Sequence, residues 1–511
     1  MGRFKEPSAS RKQLILMPQS LDEMVSQQEP VRLLCEVMDR LDYGPLESSY
    51  PGGGCPAYPP RLLVKVLALA YSVGQRSSRK IAEALRVDLR YVWLAEGLTP
   101  DFRTLARFRQ EKGEYLGELF EGSVRLCQEA GLVLLWHVAI DGTKVESVAG
   151  SHSLWGKRRI EQEREVIRRI LEEAEEVDRL EDEALGDNDG TSLPEHLRDV
   201  ESRKRRVDEA EKQLMQSGKK VISTTEPESR PMRTSRGVRM SYNVQAAVDS
   251  SSQVVVGMSV TTDENDRQQL GAMLSEVYTN TGCKPSVVSA DKGYYSAANM
   301  KILDENNQAG AVSVPKLPPR CKRLDRYGID CFDYDEIGDT YRCPAGKLLT
   351  FRTTTDKGNS VYRIYKCAEC RGCLHRELCG ARKGGKRLNI HMANALRAKM
   401  ERFLATDAGK AAAVLRKQVV EPVFGQAKEN RRFRRFVLSG LRGASIESAL
   451  VFLVHNVLVG DLQPRISSRV KSEFDALSAH DGLRACYCSE TEASFRDFRA
   501  QNRADCVTSL G

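Results

Sequence analysis

Residues 132–143 read LVLLWHVAIDGT and residues 286–294 read SVVSADKGY. Each is an apolar run of strand length that stops at an aspartate, Asp141 or Asp291, with a glycine one or two residues later. Apolar residues at successive positions, without alternation, suit a strand buried on both faces. Between the two runs, Tyr242, Val244, Ala246 and Val248 alternate with Ser241, Asn243, Gln245 and Ala247, and Asp249–Ser252 turn the chain into VVVGMSV. That pattern predicts a β-hairpin. Residues 266–279 read as a helix, and a further helix (AANMKILDENN) and strand (AGAVSVP) follow the second run.

The order is therefore strand, long insertion, hairpin, helix, strand, helix, strand. It predicts an α/β fold, a mixed sheet flanked by helices of the ribonuclease-H-like kind. Strand ends in such sheets are where ligand sites gather, on rigid backbone yet open to solvent. Two carboxylates placed there can bind a hard divalent cation, because Mg²⁺ takes oxygen ligands and keeps several waters. Each aspartate alone can equally be a surface residue capping a turn.

Around this core the chain changes character several times. Residues 1–130 form an N-terminal helical domain, in which Leu62, Leu63, Val66, Leu67 and Ala70 repeat at helical spacing and Ser77-Ser78 offer a cap for RKIAEALRV. Short helices joined by tight turns predict either a helix-turn-helix-like DNA-binding domain or a plain helical bundle. Residues 155–217 read as two long charged helices in a hairpin inserted in the core. Mixed charge with sparse Ile, Leu and Val marks a solvated face, with basic knots at Lys157–Arg159 and Arg203–Arg206. The core is expected over 131–316 and 391–462. Between them, 317–390 is a Cys-rich, loop-rich insertion, and 463–511 is a polar tail of unassigned role.

Bulk properties narrow the function. With 511 residues, two to four structural units are expected. No run of 18 apolar residues predicts a membrane span, and the N-terminus lacks the apolar stretch of a signal peptide. The net charge of +8 is modest, but Arg416–Arg442 holds eight Lys/Arg against two Glu, a clustering that fits nucleic acid. Fourteen Cys in a chain of this kind suggest free thiols or a metal site rather than disulfides. Cys343, Cys367, Cys370, Cys373 and Cys379 crowd one stretch beside His375. Consecutive C-x-x-C spacings let thiolates converge on a tetrahedral Zn²⁺, with one Cys more than four ligands require. Reduced, unligated thiols are the other reading.

A third carboxylate is found in LRKQVVEPVFGQAKENRRFRRF. Leu415, Val419, Val423 and Ala427 form an apolar stripe, while Lys417, Glu421 and Lys428 share a second face of a continuous helix. Pro422 either kinks that helix or marks a fresh start. An i,i+4 salt bridge on a surface helix accounts for Lys417 and Glu421 as well. Arg431, Arg432, Arg434 and Arg435, interleaved with Phe433, suit phosphate contacts and make DNA binding salt-dependent. Asp263, Glu264 and Asp266 form a rival acidic cluster, accounted for by a helix N-terminus.

Taken in order, DGTK at 141–144, YNVQAAVD at 242–249, DKGY at 291–294 and VEPVFGQAK at 420–428 resemble the DDE transposases of bacterial insertion sequences. SSRKIAEAL, TPDFRTLARFRQ, RRFRRFVLSGLRG and ALVFLVHNVL extend the resemblance over roughly residues 20–460. It implies a ribonuclease-H-like core in which Asp141, Asp291 and Glu421 bind Mg²⁺ or Mn²⁺ and catalyse cleavage and joining of double-stranded DNA. Two ions about 4 Å apart would activate a water or a DNA 3′-hydroxyl. It also implies action on the inverted repeats of a mobile element as a homodimer, in a bacterial cytoplasm at the nucleoid. Lys428 matches the family's later Lys. Lys417 stands where the family often has Arg, Val414 where it has Tyr, and Arg416 lies beside, so the cation nearest the site is either Arg416 or Lys417. A nuclease of the same fold without strand transfer, or an inactive DNA-binding derivative, are the alternatives.

Overall fold

In the computed structural model, residues 20–50, 56–150, 153–185, 200–218, 220–314, 327–335, 338–357, 360–382 and 384–478 are described. The expected tail lies largely outside them, with Cys486, Cys488 and Cys506. Thirteen strands occur among the described residues: β1 (His137–Glu146), β2 (Leu154–Gly156), β3 (Val221–Ser223), β4 (Arg230–Thr234), β5 (Gly237–Asp249), β6 (Val255–Thr261), β7 (Val287–Ala290), β8 (Ala309–Val312), β9 (Asp333–Asp335), β10 (Thr340–Arg342), β11 (Leu348–Lys357), β12 (Ser360–Lys366) and β13 (Arg387–His391). The chain divides into two compact units.

One unit joins Cys127–Lys144 to Arg230–Phe424. Its main sheet runs β4-β5-β1-β7-β8, with β6 also on β5. β1, β7 and β8 are parallel neighbours, and β5 is antiparallel to β4 and β6. This is the mixed ribonuclease-H-like sheet that the strand order predicts. Val138, Ala139 and Ile140 of β1 and Val288 and Ala290 of β7 are fully buried, as two-sided burial requires. The helix Gln269–Thr281 ends at Gly282, whose φ of 69° closes it in the left-handed conformation that glycine accepts without a Cβ clash. Ala412, on the helix Asp407–Gly425, packs with Val287 and Ala311 of the sheet. That contact packs the helix against the sheet.

The same unit carries a second sheet, β13-β12-β11-β10-β9, antiparallel throughout. Here the expectation of a loop-rich stretch is corrected. Its strands alternate Thr, Arg and Tyr with few aliphatic residues, and its core is small: Phe332, Tyr341, Leu349, Tyr365, Cys367, Leu388 and Ile390.

The other unit joins the residues up to Leu126 to Val145–Ser229 and Gly425–Leu462. Seven helices lie between Pro30 and Glu129. Prolines occupy the first turns of Pro30–Asp39 and Pro60–Ser72, where a missing N–H costs nothing. Asp88 and Asp101 cap the next helices through Arg90 N and Thr104 N. Ser77 occupies the N-cap position of Ser78–Val87 but makes no capping bond, and Ser78 instead bonds the guanidinium of Arg109. Arg109 is buried, and also donates to Tyr71 Oη at 3.1 Å and Arg76 O at 3.0 Å. Tyr71 in turn donates to the buried carboxylate of Glu447 at 3.0 Å.

The helices Lys157–Leu185 and Val200–Ser217 pair through Ile160, Ile167, Val207, Ala210 and Leu214, with Trp155 and Ile222 of the β2–β3 pair at their base. Within the helix Gly440–Ser478, Gly440–Val459 is long and apolar enough to cross a membrane, yet 83% of its most apolar window is buried inside the protein. That is how the core helix of a packed domain behaves.

Candidate active site

Register brings the two aspartates together. β1 and β7 are paired from His137↔Val287 to Ile140↔Ala290, so Asp141 and Asp291 are each the next residue on adjacent parallel strands. Neighbouring strands lie about 4.8 Å apart. The strand does not stop at Asp141 as the apolar run suggests: β1 continues to Glu146, whereas Asp291 directly follows β7 and caps the short helical turn Lys292–Tyr294 through Gly293 N at 2.6 Å.

The glycines beside the aspartates make room for a third carboxylate. A Cβ on Gly142 would lie 2.4 Å from Gln245 Nε2 and 2.8 Å from Asp266 Oδ1, and one on Gly293 would lie 2.8 Å from Asp291 Oδ1 and 3.4 Å from Asp266 Oδ2. Asp266 thus sits between the two strand-end motifs. Its Oδ1 accepts from Asn243 Nδ2 at 2.6 Å, Gln245 Nε2 at 2.7 Å and Lys144 Nζ at 3.3 Å. Tyr294 Oη donates to Gln245 Oε1, and the Oδ1 of fully buried Asn243 has no partner. Asn243 and Gln245 of β5 therefore face the site, while Tyr242, Val244 and Ala246 alternate with them and are buried. Sequence reading assigned Asp266 to a helix N-terminus. The only signal for its role was the pair of amides two residues apart on the hairpin.

Arg416 reaches the site from the helix Asp407–Gly425, its Nη1 2.6 Å from Asp141 Oδ2. Asp141 Oδ1 accepts from Gly142 N at 2.8 Å. Burial pushes the Asp141 carboxyl above the usual carboxylate range; Arg416 and the Gly142 N–H pull it back, and Asp291 and Asp266 push it up again. Burial, followed by these same three carboxylates, holds the Tyr294 phenol far above its ordinary value.

Between the two candidate cations, Arg416 is the inward one and Lys417 is exposed. Glu421 is exposed as well, five residues and about 140° around the helix from Arg416. The charges acting on Asp141 are those of Arg416, Asp291 and Asp266. The structure thus brings Asp141, Asp291, Asp266 and Arg416 together. Pro422 lies inside the helix without starting a new one. The carbonyl it leaves unbonded, Gln418 O, accepts instead from Gln253 Nε2 at 3.2 Å. Among the described residues, no group of three or more His, Cys, Asp or Glu already stands in metal-binding geometry.

In the other unit, the basic candidates divide. Lys428 is half-buried in the π-helical turn Gln426–Asn430. Arg431 is buried, its guanidinium held down at about 10 by desolvation, with Nε and Nη1 unbonded. Arg432 is exposed, Arg434 pairs with Glu429, and Arg435 Nε donates to Ser147 O at 3.0 Å. Cys343, Cys367, Cys370, Cys373 and Cys379 line one cavity of the five-stranded sheet's unit, with Tyr327, His375 and Lys386.

Comparison with known families gives two matches. A transposase DDE domain matches residues 342–459, a span that includes Glu421 and the cysteines but neither aspartate. A transposase domain of the DUF772 type matches residues 19–111, the N-terminal helices. No curated protein matches the chain. Two transposase domains in this order on one chain, together with a mixed ribonuclease-H-like sheet carrying paired strand-end aspartates, have one common reading. The two matched domains indicate a DDE transposase of insertion-sequence type.

Proposed function

We propose that the protein cleaves DNA at the ends of its own element and joins those ends to target DNA, in a reaction that depends on Mg²⁺ or Mn²⁺. The observation that carries this reading is the register that sets Asp141 beside Asp291. The donor set fits a hard divalent cation: the carboxylates are part-buried on rigid strand ends, and each oxygen keeps lone-pair capacity beyond its single bond to a backbone N–H or to Arg416. Asp141 and Asp291 would hold the metal, with Glu421 as the third carboxylate by family resemblance. Such ions, when bound, activate a water or a 3′-hydroxyl and stabilise the leaving oxygen of an in-line displacement.

The chain's own groups have separate tasks. Arg416 neutralises Asp141 in the absence of DNA. A backbone phosphate entering the site competes for that guanidinium, because Arg binds phosphate through two parallel bonds. Transfer of Arg416 to the phosphate frees Asp141 Oδ2. Asn243, Gln245 and Lys144 hold Asp266 fixed, and Gly142 and Gly293 keep the space between the carboxylates open. The protein acts as a homodimer on double-stranded terminal repeats, with Lys428 and the exposed Arg432 as phosphate contacts.

The test is an in vitro reaction on a marked element flanked by its native ends. Cleaved ends and joined products are expected with added Mg²⁺ or Mn²⁺ and absent with chelator. Cleavage without any joined product would establish a nuclease instead.

A further inference from the structure

The five-stranded sheet is built on few apolar side chains. Seven buried residues form its core, and the connection from β12 to β13 contains one helical turn, Arg376–Cys379. A core of this size supplies little stability, and small folds of the kind rely on a disulfide or a metal. None of the described cysteines is in a disulfide.

The five cysteines lining the cavity are not equivalent. Cys367 directly follows β12 and is 1% exposed, packed with Phe332, Tyr341, Leu349, Tyr365, Leu388 and Ile390. It is a core residue. The other four are half-buried at the cavity wall. Cys343 occupies a tight turn: its carbonyl accepts from Gly346 N at 2.8 Å, its Sγ accepts from Lys347 N at 3.3 Å, and Gly346 has φ 78°. Cys370 Sγ accepts from Lys386 N at 3.3 Å. Backbone N–H groups turned onto sulfur stabilise a thiolate. Gly372 and Gly380, beside Cys373 and Cys379, also adopt positive φ, which bends the chain so that these side chains face inward. The sulfurs of Cys370, Cys343 and Cys373 bear on Cys379, and those of Cys370 and Cys343 also bear on Cys367. His375 has its Nδ1 engaged by Tyr327 Oη at 2.8 Å. Lys347, Arg376 and Lys386 line the same cavity and offset the negative charge of a tetrathiolate centre.

We propose that Cys343, Cys370, Cys373 and Cys379 form a structural four-thiolate Zn²⁺ site that ties the β10–β11 turn to the β12–β13 connection, with Cys367 and His375 outside the ligand set. The cysteines line one cavity, and a Zn²⁺ bound there would be held by the four thiolates. Four protons leave as the thiolates form, and no redox step is involved. Linking the turn to the connection closes long loops, which is where a cross-link restricts the unfolded chain most.

The experiment uses the full chain expressed with zinc. Metal analysis of the wild type is expected to give about one equivalent, retained in Cys367→Ala and His375→Ala and lost in Cys370→Ser or Cys379→Ser. Because a Cys→Ser variant can fail to fold, the wild type is also alkylated with and without a chelator and its cysteines are mapped by mass spectrometry. Chelation should expose Cys343, Cys370, Cys373 and Cys379 together. Less than about half an equivalent of zinc in the wild type, or chelator-independent alkylation of the four, would overturn the site. Zinc loss in Cys367→Ala with retention in Cys379→Ser would overturn the ligand set.

Discussion

Arg416 and Asp141 are 275 positions apart in sequence and 2.6 Å apart in the structure. Both side chains are largely shielded, so removing one partner leaves a charge that water reaches poorly. Arg416→Ala should lower stability by about 1–3 kcal/mol. Combined with Asp141→Asn it should cost clearly less than the sum of the two single changes. Lys417→Ala should stay within about 0.5 kcal/mol, since its side chain is exposed. Urea midpoints of the four proteins decide it, and simple additivity would show that the pair is not coupled. At this scale the sequence is half legible. An aspartate after an apolar run announces itself locally. Arg416 and Asp266 do not, because their roles come from tertiary register and from side chains on β5.

At the scale of elements, the parallel pair β1–β7 carries an acid sensitivity. His137 is fully buried on β1, with Nε2 2.8 Å from Ser289 Oγ of β7. Burial holds its imidazole down at about 3, so the folded protein keeps it neutral while the unfolded chain takes a proton below about 6.5. The unfolded state therefore binds more protons over that window, and stability falls as pH drops from 6.5 towards 3. The loss by pH 5 should be roughly 2 kcal/mol. His137→Gln should flatten the stability–pH curve by that amount between pH 7 and 5, read from urea midpoints. An unchanged slope would place the acid sensitivity elsewhere. Elements differ in how plainly they can be read. The two-sided apolar strands and the charged helices 157–185 and 200–217 follow their periodicity. The five-stranded sheet was hidden, because its strands mix Thr, Arg and Tyr and its core borrows a cysteine. Pro422 misled in a smaller way, since Gln253 satisfies the carbonyl that the ring leaves open and the helix continues.

For the whole molecule, the two matched transposase domains cover residues 19–111 and 342–459, and the main sheet lies between them in sequence. The two aspartates are set by sheet register. Glu421 lies within the matched DDE domain, on a helix whose Arg416 faces Asp141. Asp141 and Asp291 are proposed as the catalytic centre, with Glu421 as the third carboxylate by family resemblance. The most direct test of this proposal is cleavage at the element ends by Asp141→Asn, Asp291→Asn and Glu421→Gln, beside binding of the same DNA. Cleavage is expected to fall by about 10³-fold or more in each variant, with DNA affinity retained. Wild-type cleavage by Asp141→Asn or Asp291→Asn would contradict the proposal, and wild-type cleavage by Glu421→Gln would remove that residue from the centre.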